Sequence, residues 1–263
     1  MQSFNASTVW TAALLAIAGV GTLTSQWSPQ AGSSVVAPVA AAAAAATPAG
    51  TVGAAASTTA AAAVAAVKPA TVSITFTSEE DLRAKIKWVP VKYAGERVQT
   101  LDEESRLLLA HAAAERAGLE MVGLSYEDVY GLINAETSWI PRTGMGKNGV
   151  PSMGLAQFEP RTAKGLGLKD PNDPVQAVFF AALNMKHGAE WASKRVAHLK
   201  LPPEQYASKV REGVSIYYNL SVKGRNKWDG TNTSALPVET QRHIENVRTG
   251  AEKAADLAEE IWS

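Results

Sequence analysis

Glu136 is the acidic residue best placed to do chemistry. It follows Leu132, Ile133 and Ala135 at the end of a helical apolar pattern, and Trp139 and Pro141 lie just beyond. A carboxyl at such a place loses contact with water, and the negative end of the helix dipole acts in the same direction. Both disfavour its charged form. A carboxylic acid that keeps its proton can donate it to a leaving oxygen, which is the first requirement of glycoside cleavage. Taken alone, a Glu at a helix end is more often a solvated terminal residue.

More polar groups follow at short range. A loop with Gly144, Gly146, Gly149 and Pro151 leads into Gly154-Leu155-Ala156-Gln157-Phe158-Glu159-Pro160-Arg161-Thr162-Ala163. The Gln157 amide can both donate and accept. Glu159 offers a second carboxyl two residues on, either facing a groove or turned to solvent beside Arg161. Tyr218-Asn219 adds a phenol and another amide. Metal chemistry lacks its ligands: there is no Cys, and the four His (His111, His187, His198, His243) show no HExxH spacing. No cofactor is expected.

The elements that must position these groups are mostly helices. Thr100-Leu101-Asp102-Glu103 reads as a capping box opening a helix to Gly118. Ser125-Tyr126-Glu127-Asp128 reads as a second, opening a helix that carries Val129, Leu132 and Ile133 and ends near Glu136. Trp139-Ile140 reads as extended, and residues 142–152 as loop. Pro160 suits a helix start. Further helices are expected over Pro174–His198, over Pro203–Tyr218, and from Pro237 onward, where Ile244, Val247, Ala251, Ala254, Leu257 and Ile261 recur every three or four residues. Upstream, Thr71–Phe76 alternates like a strand, and Ile86–Tyr93 suggests another, broken at Pro90. The two form either a hairpin or an irregular arm.

With the motifs in view, the chain resembles the soluble lytic transglycosylase family. That family's segment reads Glu-Ser-x-[Phe/Trp]-x-Pro, then Gly-Leu-Met-Gln-x-x-Pro-x-Thr-Ala, then Ala-Tyr-Asn. Glu136, Trp139 and Pro141 match the first piece, with Thr137 for Ser. Gly154, Leu155, Gln157, Pro160, Thr162 and Ala163 match the second, with Ala156 for Met. Tyr218-Asn219 matches the third, after Tyr217 rather than Ala. Pro237, Glu239 and Thr240 echo a later Pro-x-x-Glu-Thr, and His243 stands where a Tyr is common. The likeness covers about residues 103–250 and says nothing of residues 1–95.

The resemblance implies a mainly α, lysozyme-like domain with a groove for peptidoglycan glycan strands. It implies cleavage of the β-1,4 bond between N-acetylmuramic acid and N-acetylglucosamine. Glu136 would act first as general acid and then as base on the muramyl 6-hydroxyl, giving a 1,6-anhydro end without water. One carboxylate suffices because the nucleophile belongs to the substrate. Gln157, Tyr218, Thr137, Asn219 and Glu159 are the candidate substrate-binding residues, with Asn219 leaning to a structural role and Trp139 to the core. Gly154 is expected to permit a close backbone approach. The departures are a longer span between Glu136 and Gln157, a position near Asn148 where the family often has Ser, and Glu159 where it often has Met. The alternatives are a hydrolytic muramidase, with Glu159 placing water, and a non-catalytic glycan-binding or assembly module.

Charge and composition frame this reading. Lys+Arg and Asp+Glu are 25 each, so formal net charge is zero, which argues against a general nucleic-acid binder. Reading from Met1, the first charged residue is Lys68. The uncharged stretch before it holds an apolar run, Val9–Leu23, that is short for a membrane span and suits a signal-peptide core, although no Lys or Arg precedes it. Expected boundaries are 1–23 for a signal peptide or membrane anchor, 24–70 for a disordered Ala-rich linker, 71–99 for a β arm and 100–263 for the transglycosylase-like domain. An exported chain in the periplasm or cell envelope follows, serving wall turnover, secretion, conjugation or phage assembly.

Overall fold

The structure is a computed structural model, and it describes residues 78–146 and 149–263. The readings made for residues 1–77, including the Thr71–Phe76 strand, and for Asn148 lie outside the described residues. Within them the chain is mainly α, as the sequence leads one to expect.

The first element was not anticipated. Ser78 caps a short helix α1, Glu79–Lys85, by accepting from the Asp81 amide at 3.1 Å. Strand β1, Trp88–Tyr93, then pairs antiparallel with β2, Glu96–Leu101, through a turn at Ala94-Gly95. The break expected at Pro90 does not occur. Pro90 sits opposite Gln99 in a two-stranded ribbon, whose outer edges demand no N–H from it. β2 takes residues that the sequence assigned to a helix start, so the cap moves from Thr100 to Asp102. The Asp102 side chain accepts from the Ser105 amide at 2.9 Å and opens α2, Glu103–Ala117. Gly118, at φ 64°, closes it.

The second expected cap holds. The Ser125 amide donates to the Asp128 carboxylate at 2.9 Å at the head of α3, Tyr126–Thr137. Trp139 is not extended as expected. Ser138 and Trp139 both take positive φ, 53° and 63°, which turns the chain back and drives the indole into the core against Tyr130. The Thr100 hydroxyl donates to the Trp139 carbonyl at 2.7 Å, so the β1–β2 ribbon braces this turn. Full burial of an aromatic of this size contributes roughly 2–3 kcal/mol, which works against the strain of the two positive-φ residues, although the indole Nε1 has no hydrogen-bond partner among the described residues.

The expected 142–152 loop contains a two-residue strand pair, β3 Gly144–Met145 and β4 Pro151–Ser152. Helix α4, Pro160–Leu166, starts at its proline. Helix α5, Pro174–Val196, is capped by Asp173, which accepts from the Gln176 amide at 2.8 Å. Helices α6, Pro203–Asn219, α7, Val222–Arg225, and α8, Val238–Trp262, follow. Helix α3 lies in the middle, packed on α8 on one side and on α2 on the other, and α5 packs on α2 and α6.

The α3–α8 contact is unusually close. A Cβ at Gly131 would lie 2.3 Å from the Val247 carbonyl oxygen, and one at Gly250 would lie 2.8 Å from the Gly131 Cα. Two glycines let the backbones touch where a side chain would hold them apart. No helix among the described residues is long and apolar enough to cross a membrane.

Candidate active site

Four segments converge on Glu136: the end of α3, the stretch 154–158, the end of α6 and the start of α8. From the Gly131–Gly250 crossing, five residues onward along α3 and seven back along α8 lead to Glu136 and His243. The His243 Nε2 and Glu136 Oε1 atoms are 2.9 Å apart. Both side chains are largely out of water, 9% exposed for His243 and 15% for Glu136. The other ring nitrogen, Nδ1, is buried with no hydrogen-bond partner among the described residues.

The backbone around Glu136 is held by a residue that the sequence reading did not single out. Arg142 donates through Nη1 to the Thr137 carbonyl and through Nη2 to the Glu136 carbonyl, each at 2.8 Å. It thereby satisfies orphan acceptors at the end of α3 and sets a positive charge at that end of the dipole. The readable signal was a basic residue just past a helix C-terminus.

The residues taken as substrate-binding are placed as follows. Thr137 is fully buried, and its hydroxyl donates to the Leu155 carbonyl at 2.8 Å, tying α3 to the 154–158 stretch. Gln157, with φ of 50°, donates from Nε2 to the carbonyls of Arg142 at 2.8 Å and Gly154 at 2.9 Å. Its amide therefore staples the two ends of the loop between Arg142 and Gly154. The Tyr218 hydroxyl donates to the Ala156 carbonyl at 2.8 Å. Burial first, and then the Glu136 charge, push the Tyr218 phenol well above its ordinary pKa. It is thus a neutral donor near the acid. The Asn219 Oδ1 accepts from the Thr240 hydroxyl at 2.9 Å, which joins the end of α6 to the first turn of α8.

Glu159 stands at the N-cap position of α4, half-buried, with Oε1 enclosed and without a hydrogen-bond partner among the described residues. Gly154, at φ 74°, is irreplaceable on steric grounds, because a Cβ there would lie 1.8 Å from the Pro171 carbonyl oxygen. Glu136, Thr137, Gln157, Tyr218 and Asn219 are thus joined through one another's neighbours into a single frame. Among the described residues no hydrogen bond ties the Glu159 side chain into it.

The arrangement has one carboxyl drawn from water, a titratable ring bonded to it, and a phenol held in its proton-bearing form. Such a site can donate and retake a proton. A partial likeness now bears on the reading. Over 62 residues the chain is 37% identical to a protein named transglycosylase from Enterobacteria phage PRD1, covering 24% of this chain and 22% of that protein. The chain spans about a fifth of the length of that relative. This supports a transglycosylase kind and nothing finer. No protein-family model matches the chain, and no solved structure matches it. Among the described residues no three His, Asp or Glu side chains gather as a metal site would require.

Proposed function

We propose that the chain is a peptidoglycan lytic transglycosylase that cuts the bond between N-acetylmuramic acid and N-acetylglucosamine. Glu136 gives its proton to the glycosidic oxygen as that bond breaks. The carboxylate then takes the proton of the muramyl 6-hydroxyl, whose oxygen closes on the anomeric carbon. The product is a 1,6-anhydro end, and the acid is regenerated without water. Tyr218 stays protonated beside it, and Gln157 and Arg142 hold the loop and the helix end from which it projects.

The observation that supports this reading is the largely buried Glu136 carboxyl, at the meeting point of the segments that carry the motif residues. The test is mass spectrometry of muropeptides after digestion of peptidoglycan by the full chain, with Glu136→Gln alongside. Fragments ending in anhydro-muramyl groups, lighter by one water and absent with Glu136→Gln, are expected. Reducing ends would make water the acceptor and direct attention to Glu159. No cleavage by either protein would favour a glycan-binding module.

The same reading places the enzyme in the cell envelope, with residues 1–23 as export signal or anchor. The mass of the mature chain recovered from cells distinguishes a cleaved leader from a retained one.

A further inference from the structure

We propose that Tyr93, at the tip of the β1–β2 ribbon, is a stacking platform for a sugar ring of the glycan strand, so that the ribbon forms a binding subsite beside Glu136. The inference rests on the glycan reading of that site. It extends the site to a segment upstream of every motif that carries the family likeness.

The pairing register assigns the two faces of the ribbon. Residues directly opposite one another share a face, and faces alternate along each strand. Val89, Val91 and Tyr93 therefore lie on one face with Thr100, Val98 and Glu96. Trp88, Pro90 and Lys92 lie on the other with Leu101, Gln99 and Arg97. The first face is tied to the candidate site at both ends. At its base the Thr100 hydroxyl donates to the Trp139 carbonyl. At its tip the Arg142 guanidinium lies over the Tyr93 ring, with Cζ 5.4 Å from the ring centre. Arg142 also donates to the Glu136 carbonyl, so one guanidinium separates the ring from the helix end that carries the acid. From Val89 to Tyr93 the face runs about 13 Å, long enough to lie along more than one sugar ring.

Tyr93 is 39% exposed and Val89 37%, and Val91 and Val98 between them are half-buried. A lone exposed aromatic is ordinary. This one is held from one side by a cation, which removes rotamer freedom that a ligand would otherwise have to freeze. A pyranose presents a flat patch of C–H groups with polar groups around its edge. A phenol complements both, with an apolar face for the C–H groups and a hydroxyl for the edge. Charge points to the same occupant. The basic residues of the two strands, Lys92 and Arg97, are on the other face, and Glu96 is the one carboxylate on this face. An uncharged sugar backbone suits such a surface better than an anionic partner does.

The test is calorimetric binding of N-acetylglucosamine oligomers to the full chain carrying Glu136→Gln, which separates binding from cleavage. Adding Tyr93→Leu, which keeps apolar bulk against Arg142, is expected to weaken binding by about fivefold to tenfold, and adding Tyr93→Phe by much less. Adding Trp88→Ala, on the opposite face, is expected to change nothing. Affinity unmoved by Tyr93→Leu would overturn the inference. A loss matched by Trp88→Ala would also overturn it, by tracing the effect to the folding of the ribbon. Proton NMR at saturating oligomer supplies a readout that folding alone does not move. Sugar C–H signals seated on a ring shift upfield, and this shift is expected to disappear with Tyr93→Leu and to persist with Tyr93→Phe. A shift that survives Tyr93→Leu would place the sugar on another ring. No binding of the oligomers would overturn the platform, while anhydro-muropeptides from the wild-type chain would still uphold the lytic reading. Binding lost in Tyr93→Leu, with nothing cleaved by the wild-type chain, would uphold the platform and overturn the lytic reading.

Discussion

Tyr218 illustrates how one group serves both fold and chemistry. Its hydroxyl donates to the Ala156 carbonyl, so Tyr218→Phe leaves that acceptor unpaired and is expected to cost about 1 kcal/mol in thermal or denaturant unfolding. Turnover should slow, but by far less than in Glu136→Gln, because the phenol does not carry the transferred proton. A Tyr218→Phe enzyme as inactive as Glu136→Gln would give the phenol a proton-transfer role. Arg142 makes the complementary case. Arg142→Ala removes both bonds to the α3 carbonyls and is expected to lower stability by about 1–3 kcal/mol and to reduce turnover by loosening the base of Glu136. Unchanged unfolding in that variant would show that water satisfies the helix end equally well.

The helices that carry these groups were largely readable, and the reasons are local. Ser125 with Asp128, Pro160, Pro174 and Pro203 announce helix starts through chemistry confined to a few residues. The misreadings arose where distant contacts decide. Thr100 looks like a cap, yet pairing with Val89 makes it a strand residue, and Asp102 takes the cap. Trp139 looks extended, yet its indole enters the core on a backbone turned to φ 63°, a placement set by Tyr130 and the β1–β2 ribbon rather than by its sequence neighbours. His243 was visible only as a departure from the family's Tyr, and its contact with Glu136 was not, because nothing in its neighbourhood hints at a carboxylate on another helix. The Gly131–Gly250 crossing brings the two together. Gly131→Ala is expected to destabilise the fold by about 2 kcal/mol or more, since the new methyl would meet backbone that cannot swing aside. It should also weaken cleavage more than its stability loss explains, by moving α8 away from α3. A Gly131→Ala protein with wild-type melting would mean that the helices separate at little cost.

Across the described residues, distant pieces are fastened by a few charged groups. Arg83 of α1 donates to Asp173 at 2.9 Å, and Asp173 also caps α5. Burial alone would raise the Asp173 carboxyl, but the Arg83 guanidinium and the Gln176 amide outweigh it and hold it below its ordinary pKa. A carboxylate held low stabilises the fold at pH above its unfolded value, and that stability is lost as pH falls through the lower, folded value. Melting temperature should therefore drop on acidification below the ordinary Asp range, and by less in Asp173→Asn, which keeps a capping oxygen but cannot hold the charge. An identical drop in both would assign acid sensitivity elsewhere. The pairing of Glu136 with His243 spans a longer distance, 107 positions along the chain. A ribosome makes the carboxyl well before it makes the ring that bonds it. Until α8 has left the exit tunnel, the growing chain carries a carboxyl without its partner, and any product truncated between the two positions remains in that state. A cell translating this protein thus meets the complete pair only after nearly all the described chain has been made.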